Sequence, residues 1–407
     1  MRSVIEFVLA IVITVVVILL IGLFLPGGGH GHVERSIIIE RPPSHVFDVL
    51  NSYKRFNEWS PYAKKDTSAT YTFEGPEAGQ GAVMKWSGNE AIGSGRWEII
   101  ESTPTSIVKM IQNVDGGRVG TVTFNIGTTD LGVKVTWTYD VELGSNPIER
   151  IKGLYLDSSV GADYPYGLMR LKAMIESSAY ARDYSDITIT KQQLVPGPAL
   201  KLAGLVEVYS SSEFPDLNAG VVDTLKKLQA FVDRNKLTAT GPAQVLVTLK
   251  ERYRLAFDVV LPVDRNDVAL RDDIQAVQSL GGEVLVAEHV GERRKSNQTF
   301  EKLQAYATVH GLVFDPAAKA VEEFLPDREA PPVVSADAAA TTAGTPAAPV
   351  DAAATTEDGK PAEPVMVEVT RVYLPLGLPP VAPVDPAAVP ADGSAPAEAA
   401  TPAPTGG

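Results

Sequence analysis

Chemistry in this chain has to come from oxygen and nitrogen groups, because its 407 residues include no cysteine. Disulfides, thiolate nucleophiles, iron–sulfur clusters and cysteine-based zinc sites are excluded together. Five histidines remain, at positions 30, 32, 45, 289 and 310, and only His30 and His32 are neighbours. "HGH" offers two metal ligands, too few for a closed site, so it reads as a spacer in a Gly-rich linker and no metal is expected. His289 falls where a strand can face a cleft, although a satisfied structural histidine is the simpler reading. The acids of "AVEEFLPD" (320–327), taken alone, fit an edge strand with two exposed carboxylates. No Ser/His/Asp arrangement, metal-spacing motif or phosphate-binding glycine loop occurs, so no cofactor is expected. "GPEAGQG" (75–81) reads as a hairpin loop between strands. A formal charge of −14 without clustered Lys and Arg excludes a nucleic-acid partner.

The N-terminus bears on location. Residues 7–25, "FVLAIVITVVVILLIGLFL", are apolar apart from Thr14 and Gly22. As a helix they rise about 28 Å, close to the hydrocarbon thickness of a bilayer. A cleavable signal would have a shorter core and a small-residue cleavage site, whereas "LPGGGHGH" follows here. We read an uncleaved single-pass anchor, with residues 1–32 as anchor and linker. Arg2 and the amino terminus place the N-terminus in the cytoplasm and everything after Gly27 outside it. In a Gram-negative cell that is the periplasm.

From Val33 to about residue 180 the pattern is that of strands. "VKVTWTYDVEL" (133–143) keeps period 2 over eleven residues, with Val133, Val135, Trp137, Tyr139, Val141 and Leu143 on one face. "TVTFNI" and "GAVMKWSG" follow the same scheme. Ser44 is placed to cap "HVFDVLNSYKRF" as a short helix. The stretch from Asn146 to Glu176 is a long helix that Pro165 should kink or break. This order, with "RPPSHVFDVLNSYKRFNEWSPY" opening it, resembles the START-like helix-grip family that includes the polyketide cyclase/dehydrase group. The resemblance implies a curved sheet and a long helix gripping an apolar ligand, with no shared catalytic set. All four tryptophans, 59, 86, 97 and 137, fall in this region. Trp86 and Trp137 are candidates for lining the cavity, and core packing is the plainer role for each.

Beyond Ser185 the chain repeats itself. "KLQAF" (227–231) returns as "KLQAY" (302–306), and "VVLPV" (259–263) resembles "VYLPL" (372–376). The offsets of 75 and 113 differ by about the length of an Ala/Pro/Thr-rich insertion at 329–365. We read two copies of a strand–helix–strand–strand unit, the second interrupted. Val221, Leu225, Leu228 and Val232 share one side of the first helix, which Asp216 can cap. Phe231 and Tyr306, equivalent in the repeat, should each pack beneath their own sheet.

This plan, with "VHGL" and "TRVYLPL", is similar to the gyrase-inhibitor-like effector-binding family, the ligand module of multidrug-responsive regulators. The resemblance implies a buried glutamate in a cleft between the halves, on a strand Glu-x-Tyr-Leu-x-Asp. That position falls on Glu322, with Phe324 and Asp327 completing "EEFLPD". Tyr373 and Arg371, on the closing strand, join Glu322 and Phe324 as ligand-binding candidates. A glutamate in an apolar pocket resists ionisation unless a cation neutralises it. Two departures bear on this. Gly291, Glu292 and Arg293 stand where the family offers a Gly-Pro-Tyr-like turn, so a ring at the pocket mouth is missing. Arg371 replaces the usual acid after Thr370 and can pair with Glu322 or Glu323, filling the cleft. No helix-turn-helix precedes the module, so a transcription role does not carry over. Some members are hydrolases that use the same glutamate.

The sequence therefore predicts an α+β protein. An anchor (1–32) precedes a helix-grip domain (33–180) and a duplicated effector-binding-like domain (185–376); the insertion and a tail (377–407), rich in Ala and Pro, should stay unfolded. The function it predicts is a membrane-anchored protein that binds or senses an apolar or amphiphilic small molecule. The alternatives are a hydrolase using Glu322, a cyclase-type enzyme using the helix-grip cavity, and an envelope scaffold with filled pockets.

Overall fold

The computed structural model describes residues 2–24, 29–114, 119–209, 215–329 and 366–377. Residues 330–365 of the Ala- and Pro-rich insertion and 378–407 of the tail lie outside the described residues. Helix α1 (Arg2–Phe24) is apolar on every side. Its Val4–Phe24 stretch is long and apolar enough to cross a membrane. All of those side-chain positions are exposed except Gly22, so this helix lacks the soluble cover that an apolar surface needs.

The first sheet opens with β1 (His30–Ile39) and continues through α2 (Pro43–Leu50), α3 (Phe56–Trp59) and α4 (Tyr62–Lys65). A meander follows: β2 (Thr70–Glu74), β3 (Val83–Ser87), β4 (Ser94–Thr103), β5 (Ile107–Val114), β6 (Val119–Thr129) and β7 (Gly132–Glu142). The strand order is β1-β7-β6-β5-β4-β3-β2, every pair antiparallel. Helices α5 (Pro147–Gly153) and α6 (Leu156–Glu176) close the unit. On β7 the alternating residues Val133, Val135, Trp137, Tyr139 and Val141 are all buried, while Lys134, Asp140 and Glu142 are exposed. Tyr164 of α6 stacks on Trp137 at 3.8 Å.

Three expectations need correction. "HGH" is the start of β1 rather than a linker: His30 pairs with Glu142 across the ladder and Gly31 with Val141. Glycine is needed there because a Cβ would stand 2.6 Å from Leu156 and 2.9 Å from Val141. Ser44 caps nothing; α2 begins at Pro43, and the Ser44 hydroxyl donates to Asp183 at 2.8 Å. Pro165 sits inside α6 without ending it, and the break falls at Leu154–Tyr155 instead. Tyr164, Leu168 and Leu171, all buried, hold the helix together around the proline. Burying three such side chains outweighs the roughly 3 kcal/mol that an interior proline costs.

The second sheet contains β8 (Thr190–Leu194), β9 (Pro198–Glu207), β10 (Gln244–Lys250), β11 (Arg254–Pro262), β12 (Gln275–Gln278), β13 (Gly282–Val290), β14 (Val321–Glu329) and β15 (Met366–Pro375). Helices α7 (Leu217–Arg234) and α8 (Asn297–Val309) carry the two pentapeptides. The order β12-β9-β11-β10-β14-β15-β13-β8 makes the duplication visible. Its centre reads β9-β11-β10 against β14-β15-β13, the same three positions of each copy in mirrored order. The copies meet where β10 pairs antiparallel with β14, with Val245 opposite Glu322. Helix α7 packs on β9 and β11, and α8 on β13 and β15. Asp216 caps α7, accepting from the Ala219 backbone at 3.2 Å.

Phe231 is buried in its own half's core. Tyr306 is not buried beneath its sheet; it bridges two cores, edge-on to Tyr184 at 5.3 Å and against His310 at 4.0 Å. Ala305 and Val309 of α8 are buried in the first domain's core. Around them Asp48 accepts from Tyr184 at 2.8 Å and pairs with His310 at 3.1 Å, and Arg55 donates to the Thr308 carbonyl at 2.9 Å. Helix α8 thus belongs to both sheets, and residues up to Gly377 form one compact unit.

Candidate functional site

Period 2 along β14 decides which acid faces what. Glu322 points to the helix side of the sheet and Glu323 to the opposite side, and both are 5% exposed. Arg371 stands directly across the ladder from Glu323, and Val372 across from Glu322. Arg371 Nη1 accordingly donates to both Glu323 oxygens at 3.1 Å, and the Tyr373 hydroxyl donates to Glu323 Oε2 at 2.6 Å. Burial, then the bond to Glu323, pushes the Tyr373 phenol up to about 12. Arg371 and Tyr373 therefore lie across the sheet from Glu322, and neither enters the cleft that Glu322 lines.

That cleft, about 920 Å³, opens between the N-terminal ends of α7 and α8. Val247, Leu255, Phe300 and Ala320 supply apolar wall, and Lys250, Arg293, Asn218 and Glu368 supply polar groups. Glu322 Oε1 accepts from the Ser296 hydroxyl at 2.5 Å, whereas Oε2 is buried with no partner. Desolvation raises this carboxyl above its ordinary value, opposed by Ser296, Lys250 and Arg293. Asn218 donates to Glu368 at 2.7 Å, leaving its own buried carbonyl oxygen unpartnered. Two residues that line one apolar-walled cleft thus each hold a buried oxygen without a partner, an arrangement suited to a ligand carrying hydrogen-bond donors on an apolar body.

Arg293 lines this cleft. Its guanidinium lies 4.9 Å over the Phe324 ring and pairs with Asp327 at 3.0 Å and Glu368 at 3.1 Å. Phe324 packs on the first copy's core beneath it. Sequence reasoning missed Asn218, Ser296 and Glu368, whose only signal was polar side chains at helix starts and on the closing strand. His289 is satisfied on both nitrogens. The Glu292 carbonyl can only accept, so Nε2 donates to it at 3.1 Å and Nδ1 accepts from the Thr299 hydroxyl at 3.0 Å. Burial lowers its pKa, which disfavours the charged ring.

The helix-grip interior offers much less space. Trp137 is fully buried between Tyr164, Trp59 and Phe124. Trp86 is half-buried and lines a cavity with Tyr62, Tyr71, Met84 and Trp97, but the volume of that cavity is only about 150 Å³. A cavity of that size holds a benzene-sized molecule.

Residues 30–176 match the family described as "Polyketide cyclase / dehydrase and lipid transport". No curated protein matches the chain. Similar solved structures include a Chromobacterium violaceum protein, 12% identical over 36% of this chain and 99% of its own, at TM-score 0.28. A Rhodobacter sphaeroides protein is 15% identical over 36% and 93%, at 0.28. The Zhui aromatase/cyclase of a Streptomyces species is 17% identical over 35% and 92%, at 0.26. The family match places a polyketide cyclase/dehydrase-like, START-like domain at residues 30–176 of this chain.

Proposed function

We propose that this is a membrane-anchored protein that captures an apolar or amphiphilic small molecule in the cleft beside Glu322. In this reading α1 is the anchor, and residues 185–376 act as a gyrase-inhibitor-like effector-binding module. The observation that carries it is the buried, unpartnered Glu322 Oε2 at the floor of a cleft large enough for a drug-sized ligand. A native fold leaves such an oxygen dry at a cost of about 1–3 kcal/mol, which a donor group on a ligand recovers. Capture by the second domain rather than the grip cavity follows from the volumes, about 920 against 150 Å³. Arg371 in the cleft would have favoured a scaffold with filled pockets, whereas Arg371 is engaged with Glu323 on the other side of the sheet.

Hydrolysis is a second reading, favoured by one observation: the carboxyl is desolvated and its pKa raised, as a general acid or base requires. Native mass spectrometry of the full chain, released from detergent, tests capture. A co-purified or added amphiphile retained by the wild type and weakened in Asn218→Ala supports it. Failure to retain any member of a broad amphiphile panel refutes it. Turnover that disappears in Glu322→Gln while binding survives assigns the hydrolase.

A further inference from the structure

Helix α5 leaves the first sheet and packs across the last turn of α1. At Gly22 a Cβ would stand 2.5 Å from the Pro147 carbonyl oxygen and 3.0 Å from Ile151 Cδ1, so only glycine admits this crossing. Arg150 ties the two together: Nη1 donates to the Leu23 carbonyl at 2.7 Å and Nε to the Gly144 carbonyl at 2.8 Å. A guanidinium thus satisfies an orphan carbonyl at the end of α1, where the helix dipole favours a cation.

The other side of this segment is apolar and uncovered. Ile148 is 53% exposed, Leu154 59% and Tyr155 67%, three such residues within eight positions. Lys152 projects beside them, its side chain 60% exposed and paired with the more buried Glu149 at 2.8 Å. Aliphatic side chains, a tyrosine and a lysine together are the composition of a segment at the level of lipid headgroups. The height agrees. The 21 residues from Val4 to Phe24 rise about 31 Å, the hydrocarbon thickness, so Gly22 and Leu23 end at its edge and α5 is fixed there.

We propose that α5 with Leu154 and Tyr155 is an interfacial foot, seated in the headgroup layer of the bilayer that α1 spans. This rests on the anchor reading given above, and it adds an orientation: the His30–Glu142 end of β1 and β7 faces the membrane. The β6–β7 hairpin, with Leu131 71% exposed, then stands about 33 Å away, at the far end of a ten-residue strand.

Because the chain lacks cysteine, single substitutions Val15→Cys, Leu131→Cys, Ile148→Cys and Leu154→Cys each accept one environment-sensitive fluorophore. The full chain is reconstituted in phosphatidylcholine/phosphatidylglycerol vesicles, with nitroxides on the headgroup or along the acyl chain as quenchers. Circular dichroism confirms that each labelled variant is folded. The proposal expects the labels at 148 and 154 to be quenched by headgroup nitroxide at least threefold more than the label at 131, and the label at 15 by the acyl nitroxide. Quenching at 15 with 154 indistinguishable from 131 overturns the foot and leaves the anchor standing. No acyl quenching at 15 removes the anchor, and the foot with it. Shielding at 154 that grows with protein-to-lipid ratio, without nitroxide quenching, assigns the patch to a second copy and overturns the foot.

Discussion

Glutamine at position 322 removes a titration while nearly keeping a shape, so it isolates what burial does to Glu322. The folded carboxyl has its pKa raised above the ordinary 4.5 by desolvation. Below that ordinary value both states are protonated and Glu322 adds no pH dependence. Between the unfolded and the raised folded value the native state holds the extra proton, so wild-type stability falls as pH rises, by up to about 1.4 kcal/mol per pH unit. Above the folded value the loss is complete and constant. The variant keeps the Ser296 hydrogen bond through its amide oxygen and places an unpartnered NH2 where Oε2 lay, a cost that does not change with pH. The test is therefore the slope of the wild-type-minus-variant difference rather than its size. Urea unfolding at half-unit steps from pH 4 to 8 supplies it. Far-UV circular dichroism is the suitable probe, because all four tryptophans lie in the first domain and their fluorescence reports on the second only indirectly. The difference should be flat near pH 4 and then turn increasingly against the wild type. A difference that stays constant from pH 4 to 8 refutes the desolvated carboxyl, and with it the physical basis of the cleft.

On the opposite side of the sheet, Arg371→Met should cost about 3–5 kcal/mol, because it leaves a 5% exposed carboxylate with no cation and only the Tyr373 hydroxyl. Glu323→Gln should cost only about 1–2, since Arg371 is a third exposed and water can take over; equal losses in urea titrations would contradict this. Trp137→Ala should lose about 3–5 kcal/mol by tryptophan fluorescence, and Trp86→Ala less, because Trp86 already borders a void. At Gly167 an added Cβ would lie 2.9 Å from both Trp137 and Pro61, so Gly167→Ala should lose about 1–3 kcal/mol through overpacking.

The legible parts of this chain were those where one periodicity governed. The alternation of β7 was readable because one face meets the core and the other meets water. The twin halves were readable because their helices kept the same pentapeptide. The cleft was less so. Sequence assigns Glu322 and Glu323 to opposite faces but does not show which partner stands across the ladder, and that register sends Arg371 to Glu323. Arg293 was noticed only as a missing ring, since its contacts with Phe324 and Asp327 on β14 and with Glu368 on β15 come from strands distant in sequence. Pro165 misled because local propensity is a small term beside the burial of Tyr164, Leu168 and Leu171. Gly31 misled because its reason, contact with Leu156 and Val141, is tertiary. The tryptophans were ambiguous from the start, because only packing separates Trp137 in a core from Trp86 at a void.

Helix α8 carries a practical corollary for anyone who dissects the chain. Its first turn supports Ser296 under Glu322, while its last turns place Ala305, Tyr306 and Val309 against the other sheet. Scissors applied near residue 185 would bare an oily flank on one fragment and a matching socket, rimmed by Asp48 and Arg55, on its sibling. The fragments should prove sticky alone and recombine when mixed, a keystone arrangement rather than beads on a string.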